Sequence, residues 1–246
     1  MKTFEQEVAE RIKANDNDLS LRAGAREFML SSLRSRYSYN FSWLGRPIIQ
    51  YPQDILAIQE IVWAVQPDLI VETGIAHGGS LIFSASLLEL NASCGGPAGA
   101  VVLGIDIEIR PHNKEAILKH PLARRISMIE GSSIAPDVIS QVTEKAHHAS
   151  RVLVLLDSNH AHDHVLAELE AYAPLVTIGS YCVVFDTVVE DMPSACFPNR
   201  PWGKGNNPKT AVQAFLARYS TFEIDKHISS KLLVTVAPDG YLKRVR

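Results

Sequence analysis

The chain has 246 residues, 46% of them apolar, which is ample for one large α/β domain or two small ones with a real core. The formal charge of −3 is carried by scattered residues, which excludes a field strong enough to gather nucleic acid or an anionic membrane. MKTFEQEVAERIKANDND has no apolar leader, no later run approaches a membrane span, and the odd, widely spaced Cys94, Cys182 and Cys196 suit a reducing compartment. A cytoplasmic protein is therefore expected.

Residues 2–14 and 19–36 have the spacing of amphipathic helices. They lead into an aromatic connector, YSYNFSWLGRPIIQYP (37–52), whose prolines interrupt any helix. Residues 1–52 are expected to form an N-terminal helical cap, and 53–246 one structural unit. A helix opens at Pro52 and runs to about Val65, where Pro67 ends it. Strands are expected at 69–72, 101–106, 126–130, 152–157, 181–186, 222–225 and 232–237, the last two pairing as a hairpin. Helical segments at 80–90, 111–119, 134–147 and 161–171 alternate with the first five strands, several of which are continuously apolar. That pattern predicts a doubly wound, mostly parallel, Rossmann-like sheet buried on both faces. The Pro/Gly/Asn-rich segment 192–208 is the long loop and a candidate lid.

Four of the first five strands end on or next to an acid: Glu72, Asp106, Asp157 and Asp186. The other ends Glu130-Gly131-Ser132-Ser133. Ligands of open parallel sheets bind at the carboxyl ends of strands, so these groups are expected to share one crevice. VETGIAHGGS (71–80) follows the first strand, and its Gly74, Gly78 and Gly79 would let backbone amides approach a ligand. The spacing departs from the G-x-G-x-x-G of nicotinamide sites. Glu72 at the loop mouth would repel a pyrophosphate but suits the ammonium and sulfonium of S-adenosylmethionine. Asp106 is then placed for the ribose hydroxyls, and Ser132 and Ser133 for the adenine.

LLDSNHAHDH (155–164) raises a competing possibility, because His160 to His164 spells the His-x-His-x-Asp-His of zinc-dependent hydrolases. Its position past the middle of a parallel α/β pattern, with His227 the only later histidine, argues against that reading. Asp157 and Asp186 instead offer two carboxylates on neighbouring strands to a hard cation, with His160 as a general base that is neutral near pH 7.

The segments 45–63, 72–80, 104–113, 129–133, 155–176, 179–187 and 232–244, in that order and spacing, resemble the cephalosporin hydroxylase family of class I S-adenosylmethionine-dependent methyltransferases, which also takes in rhamnosyl O-methyltransferases. The resemblance spans residues 37–244. It implies a seven-stranded methyltransferase fold with a reversed final hairpin, S-adenosylmethionine as cofactor and commonly Mg²⁺. It also implies O-methylation of a hydroxylated small molecule, a sugar or secondary metabolite, and a homo-oligomer. The cofactor would be met by Glu72, Gly74, Ala76, Gly78, Gly79, Ser80, Asp106, Ile107, Ser132, Ser133 and Asp157. Relatives often carry Glu-Asp where this chain has Phe185-Asp186. Glu190 is therefore expected to join Asp157 and Asp186 at the metal, or the protein binds S-adenosylmethionine without turnover. Tyr37, Trp43, Arg46 and Trp202 are the candidate acceptor contacts.

Overall fold

Asp18 both ends the first helix, α1 (Phe4–Asn17), and caps the second, α2 (Leu19–Arg34), by accepting a hydrogen bond from the Leu21 amide, so the two form a hairpin. The computed structural model describes residues 1–246. The aromatic connector contains a small antiparallel ribbon, β1 (Phe41–Trp43) and β2 (Arg46–Ile48), turned through Leu44 and Gly45 at positive φ. Pro52 then starts α3 (Pro52–Val65), which ends at Gln66 in the left-handed conformation just before Pro67.

The elements that follow are β3 (Leu69–Thr73), α4 (Gly79–Ser93), β4 (Val101–Asp106), α5 (Pro111–Leu118), β5 (Ile126–Glu130), α6 (Pro136–His147), β6 (Val152–Leu156), α7 (His162–Tyr172) and β7 (Tyr181–Val184). They are completed by α8 (Pro208–Arg218), β8 (Phe222–Ile224), α9 (Lys226–Leu232) and β9 (Tyr241–Arg244). The seven-stranded sheet has the order β5-β4-β3-β6-β7-β9-β8, with β9 antiparallel to both its neighbours. The doubly wound expectation is met.

β3 and β6 are buried along their whole length. Their alternate residues feed two separate apolar layers: Ile70, Leu153 and Leu155 pack on one face of the sheet, and Val71, Val154 and Leu156 on the other. Burying one such side chain stabilises the fold by about 1.5–3 kcal/mol before entropy is counted. Strand order reverses between β3 and β6, which opens the crevice there.

The carboxyl-terminal expectations need correction. The apolar run 232–237 is not a strand; the last strand is β9, which starts four residues after its end. Leu233 and Asp239 sit at positive φ, and the Val236 amide donates to the buried carboxylate of Asp54, so the segment is tied down as an irregular loop. β8 and β9 do pair, but α9 and this loop join them in place of a tight turn. The helix α8 was not expected; Asn207 caps it in a reciprocal box with Thr210, and Pro208 opens it.

Candidate active site

The loop after β3 owes its shape to packing. A Cβ on Gly74 would overlap the carbonyl of Asp157, one on Gly79 the carbonyl of Pro47, and one on Gly78 the side chain of Ile117. These glycines bring the loop against β6, β2 and α5, so their lack of a side chain is used in packing. Asp106, ending β4, holds the loop through one oxygen, with Oδ2 accepting from the Ile75 amide at 2.8 Å and the Ala76 amide at 3.1 Å. Ala76 takes positive φ there, a strained conformation for a residue with a Cβ. Oδ1 meets only the Glu108 amide at 3.3 Å, leaving acceptor capacity for hydroxyls. Beside it Ile107 is 75% exposed, an apolar face at the crevice rim.

Glu72 lies beneath the loop, not at its mouth. It is buried, Oε2 accepts from Ser84 Oγ at 3.2 Å, and Oε1 has no partner. Burial pushes its carboxyl up to about 7 against the opposing hydroxyls of Ser80 and Ser84. Glu72 lines a small cavity together with Gln50, Ser80 and Asp157. Ser132 is half-buried; Ser133 is buried, with its hydroxyl 3.1 Å from Nε2 of His164 and its carbonyl accepting from Tyr172.

Asp157 and Asp186 follow β6 and β7, adjacent parallel strands. With His160 they form a cluster whose ligand atoms all lie within 4.8 Å of one another. Asp186 is turned toward it by a left-handed backbone (φ 57°) at the start of the 3₁₀ turn Thr187–Asp191. His160 Nδ1 is 3.1 Å from Asp186 Oδ2, and Nε2 is 3.6 Å from Asp157 Oδ1. Nδ1 is nonetheless buried with no aligned hydrogen bond. Burial opposes a charge on His160, but Asp186 and Asp157 outweigh it and raise the imidazole to about 9. Asp157 is itself pushed up to about 6, by burial first, with His160 pulling it down and Asp186 pushing it up. The two carboxylates thus favour the protonated imidazole, where a neutral base was expected. A partnerless buried nitrogen between two converging carboxylates fits a divalent cation in the proton's place.

Trp202 leans over His160, ring centroids 4.9 Å apart and planes tilted by 45°, so the 192–208 loop covers the cluster as a lid would. Its far end is pinned where Asn206 Oδ1 accepts from the His162 amide at 2.8 Å. Glu190 does not join the cluster: its Oε2 accepts from the Gly205 amide and from Asn207 Nδ2, so it staples the lid. The three histidines also part company. His162 Nδ1 meets Thr210 Oγ1 at 2.8 Å and His164 turns toward Ser133, Ser158 and Glu168, leaving no zinc cassette.

Three expected acceptor contacts have partners within the protein. Tyr37 packs among Phe28, Phe41 and Tyr51; Trp43 Nε1 donates to Ser86 and its ring meets Phe83 edge-on; Arg46 donates to the His77 carbonyl and to Asn113, pinning β2 to the glycine loop. Phe185 is buried, so no carboxylate stands in its place. Gln50 was missed: its Nε2 donates to Asp157 Oδ2 at 3.0 Å from the connector, and only the resemblance over 45–63 pointed at that segment.

A doubly wound sheet of this order, with a loop-holding acid after the strand next to the glycine loop and a two-carboxylate centre one step further along the edge, defines a class I S-adenosylmethionine-dependent methyltransferase. A family profile described as "Rhamnosyl O-methyltransferase/CmcI" matches residues 35–245, and the chain belongs to that family. It is 31% identical over 196 residues to a rhamnosyl O-methyltransferase of Mycobacterium tuberculosis, covering 78% of this chain and 73% of that one. It is 30% identical over 207 residues to that of Mycobacterium leprae, covering 82% of each. Among solved structures, CmcI with Mg and SAM superposes with a TM-score of 0.55 at 17% identity over 85% of this chain and 78% of that one. An O-methyltransferase from Bacillus cereus with SAH does so at 0.50 and 16%, covering 81% of each. These two likenesses concern the fold. No helix is long and apolar enough to cross a membrane.

Proposed function

We propose that the protein methylates a hydroxyl of a sugar or secondary metabolite with Mg²⁺ assistance. The observation that carries this is the convergence of Asp157, His160 and Asp186 on the strand pair next to the cofactor loop. The name shared by the curated relatives, rhamnosyl O-methyltransferase, supports a sugar acceptor.

S-adenosylmethionine supplies an electrophilic methyl group, so the protein's task is orientation and removal of one proton. Asp106 would hold the ribose through the free capacity of Oδ1, with Ile107 and Ser133 toward the adenine. Asp157 and Asp186 would hold a cation, which when bound polarises the acceptor hydroxyl. His160, within reach of both carboxylates, would take the proton from the acceptor hydroxyl. Gln50 fixes the rotamer of Asp157, and Trp202 excludes water from His160. We also place the protein in the cytoplasm, as a homo-oligomer; Phe4, Leu19, Leu21 and Phe28, exposed on α1 and α2, support self-association.

The test is transfer of a labelled methyl group to rhamnosides and other polyols. The expected result is turnover that falls at least tenfold on chelation and in Asp157→Ala. Transfer indifferent to both would remove the metal from the account.

A further inference from the structure

The carboxyl edge of the sheet continues beyond the Asp157–His160–Asp186 cluster. β9 runs antiparallel to β7 with Tyr241 opposite Val183, so the segment 235–239 ahead of β9 lies on the same edge as Asp186. Over it opens a cleft of about 1060 Å³, walled by α2, the Thr187–Asp191 turn, α9 and that segment. Val188 of its wall is two residues from Asp186, and Lys204 at its rim two residues from Trp202. Small-molecule sites measure about 300–1,000 Å³, so this one has room for more than a single sugar ring.

Its charges are not balanced in use. Five cations and four carboxylates line the cleft. Each carboxylate is engaged: Lys209 bridges Asp191 at 2.8 Å and Asp239 at 2.9 Å, Glu190 holds the lid, and Asp16 accepts from Ser230 at 3.0 Å beside Arg22. Arg26, Lys204 and Lys226 take part in none of these pairs and are exposed around the opening. A cleft edged by Arg26, Lys226 and Lys204, the last also drawn toward Glu190, offers its cations to an anion, since charge-assisted hydrogen bonds to phosphate or carboxylate are among the strongest a side chain makes.

We infer that this cleft is the acceptor chamber and that the acceptor carries an anionic group, a phosphate or a carboxylate, received by Arg26, Lys204 and Lys226 while its hydroxyl is presented at Asp186. The inference rests on the methyltransferase reading above.

Calorimetric titration tests it, with rhamnose 1-phosphate, glucuronate and methyl rhamnoside as probes, into the protein saturated with S-adenosylhomocysteine and, separately, into the cofactor-free protein. One or both anionic sugars should bind at least tenfold more tightly than the neutral one, and which of them does so assigns the anion. The R26Q/K204Q/K226Q variant should lose that preference with unchanged S-adenosylhomocysteine affinity, and R26K/K204R/K226R should restore it. Equal binding of all three sugars, binding of none, or a preference surviving in the glutamine variant overturns the chamber. Absence of S-adenosylhomocysteine binding strikes the methyltransferase reading instead, and the cofactor-free titrations then still decide the cleft.

Discussion

Glu72 shows how much a single buried carboxylate can govern. Its folded pKa near 7 lies above the ordinary 4.5, so the native state holds the proton more tightly than the unfolded chain. The stability this provides is full below about pH 4.5 and is lost as pH rises through about 7. Glu72→Gln removes the charge that burial penalises. In urea denaturation it should exceed the wild type at pH 8 by on the order of 1–3 kcal/mol, the gap closing at pH 5; equal midpoints at both pH values would contradict the burial argument. Asp106 governs the cofactor loop through the Ile75 and Ala76 amides, so Asp106→Ala should weaken S-adenosylmethionine binding at least tenfold by calorimetry, and unchanged binding would remove it from the site. Asp157 and Asp186 were legible in the sequence because both close apolar strands. The surroundings of His160 were not, since its two carboxylate neighbours are brought together only by the fold. Residue type alone also did not tell that Tyr37, Trp43 and Arg46 each hold a partner within the protein.

Among the elements, α4 meets β2 at a close backbone approach. Gly79 is the first residue of α4, and a side chain there meets the Pro47 carbonyl and the Ile48 Cα, backbone atoms that cannot turn aside. Gly79→Ala should cost about 1–3 kcal/mol in denaturant midpoint and loosen the connector that carries Gln50, even though alanine is the better helix former. A neutral or stabilising effect would show that the loop has room to move. The parallel strands were legible because a strand buried on both faces is apolar throughout. The carboxyl-terminal pair was not. LLVTVA has the composition of a strand, but Asp54, far away on α3, takes the Val236 amide. YLKR looks like a surface segment, yet it occupies the sheet interior with Lys243 over the Tyr181 ring and the Arg244 side chain on the Pro174 carbonyl.

Across the whole molecule, the candidate site follows strand order along one edge of the sheet: the loop-holding acid after β4, the glycine loop after β3, the proposed metal acids after β6 and β7, and the cleft beside β9. The connector closes this edge from above through Gln50, which donates to Asp157 across 107 residues of sequence. A contact of that separation leaves no local pattern, which is why the lower half of the site could be read and its roof could not. The central claim is that Asp106 and the Asp157–Asp186 pair hold cofactor and cation side by side. A crystal structure with S-adenosylhomocysteine and Mg²⁺ tests it most directly. The account predicts the ribose hydroxyls on Asp106 and the ion on Asp157 and Asp186, with His160 no longer bridging them. An ion bound elsewhere, or a ribose away from Asp106, would contradict it.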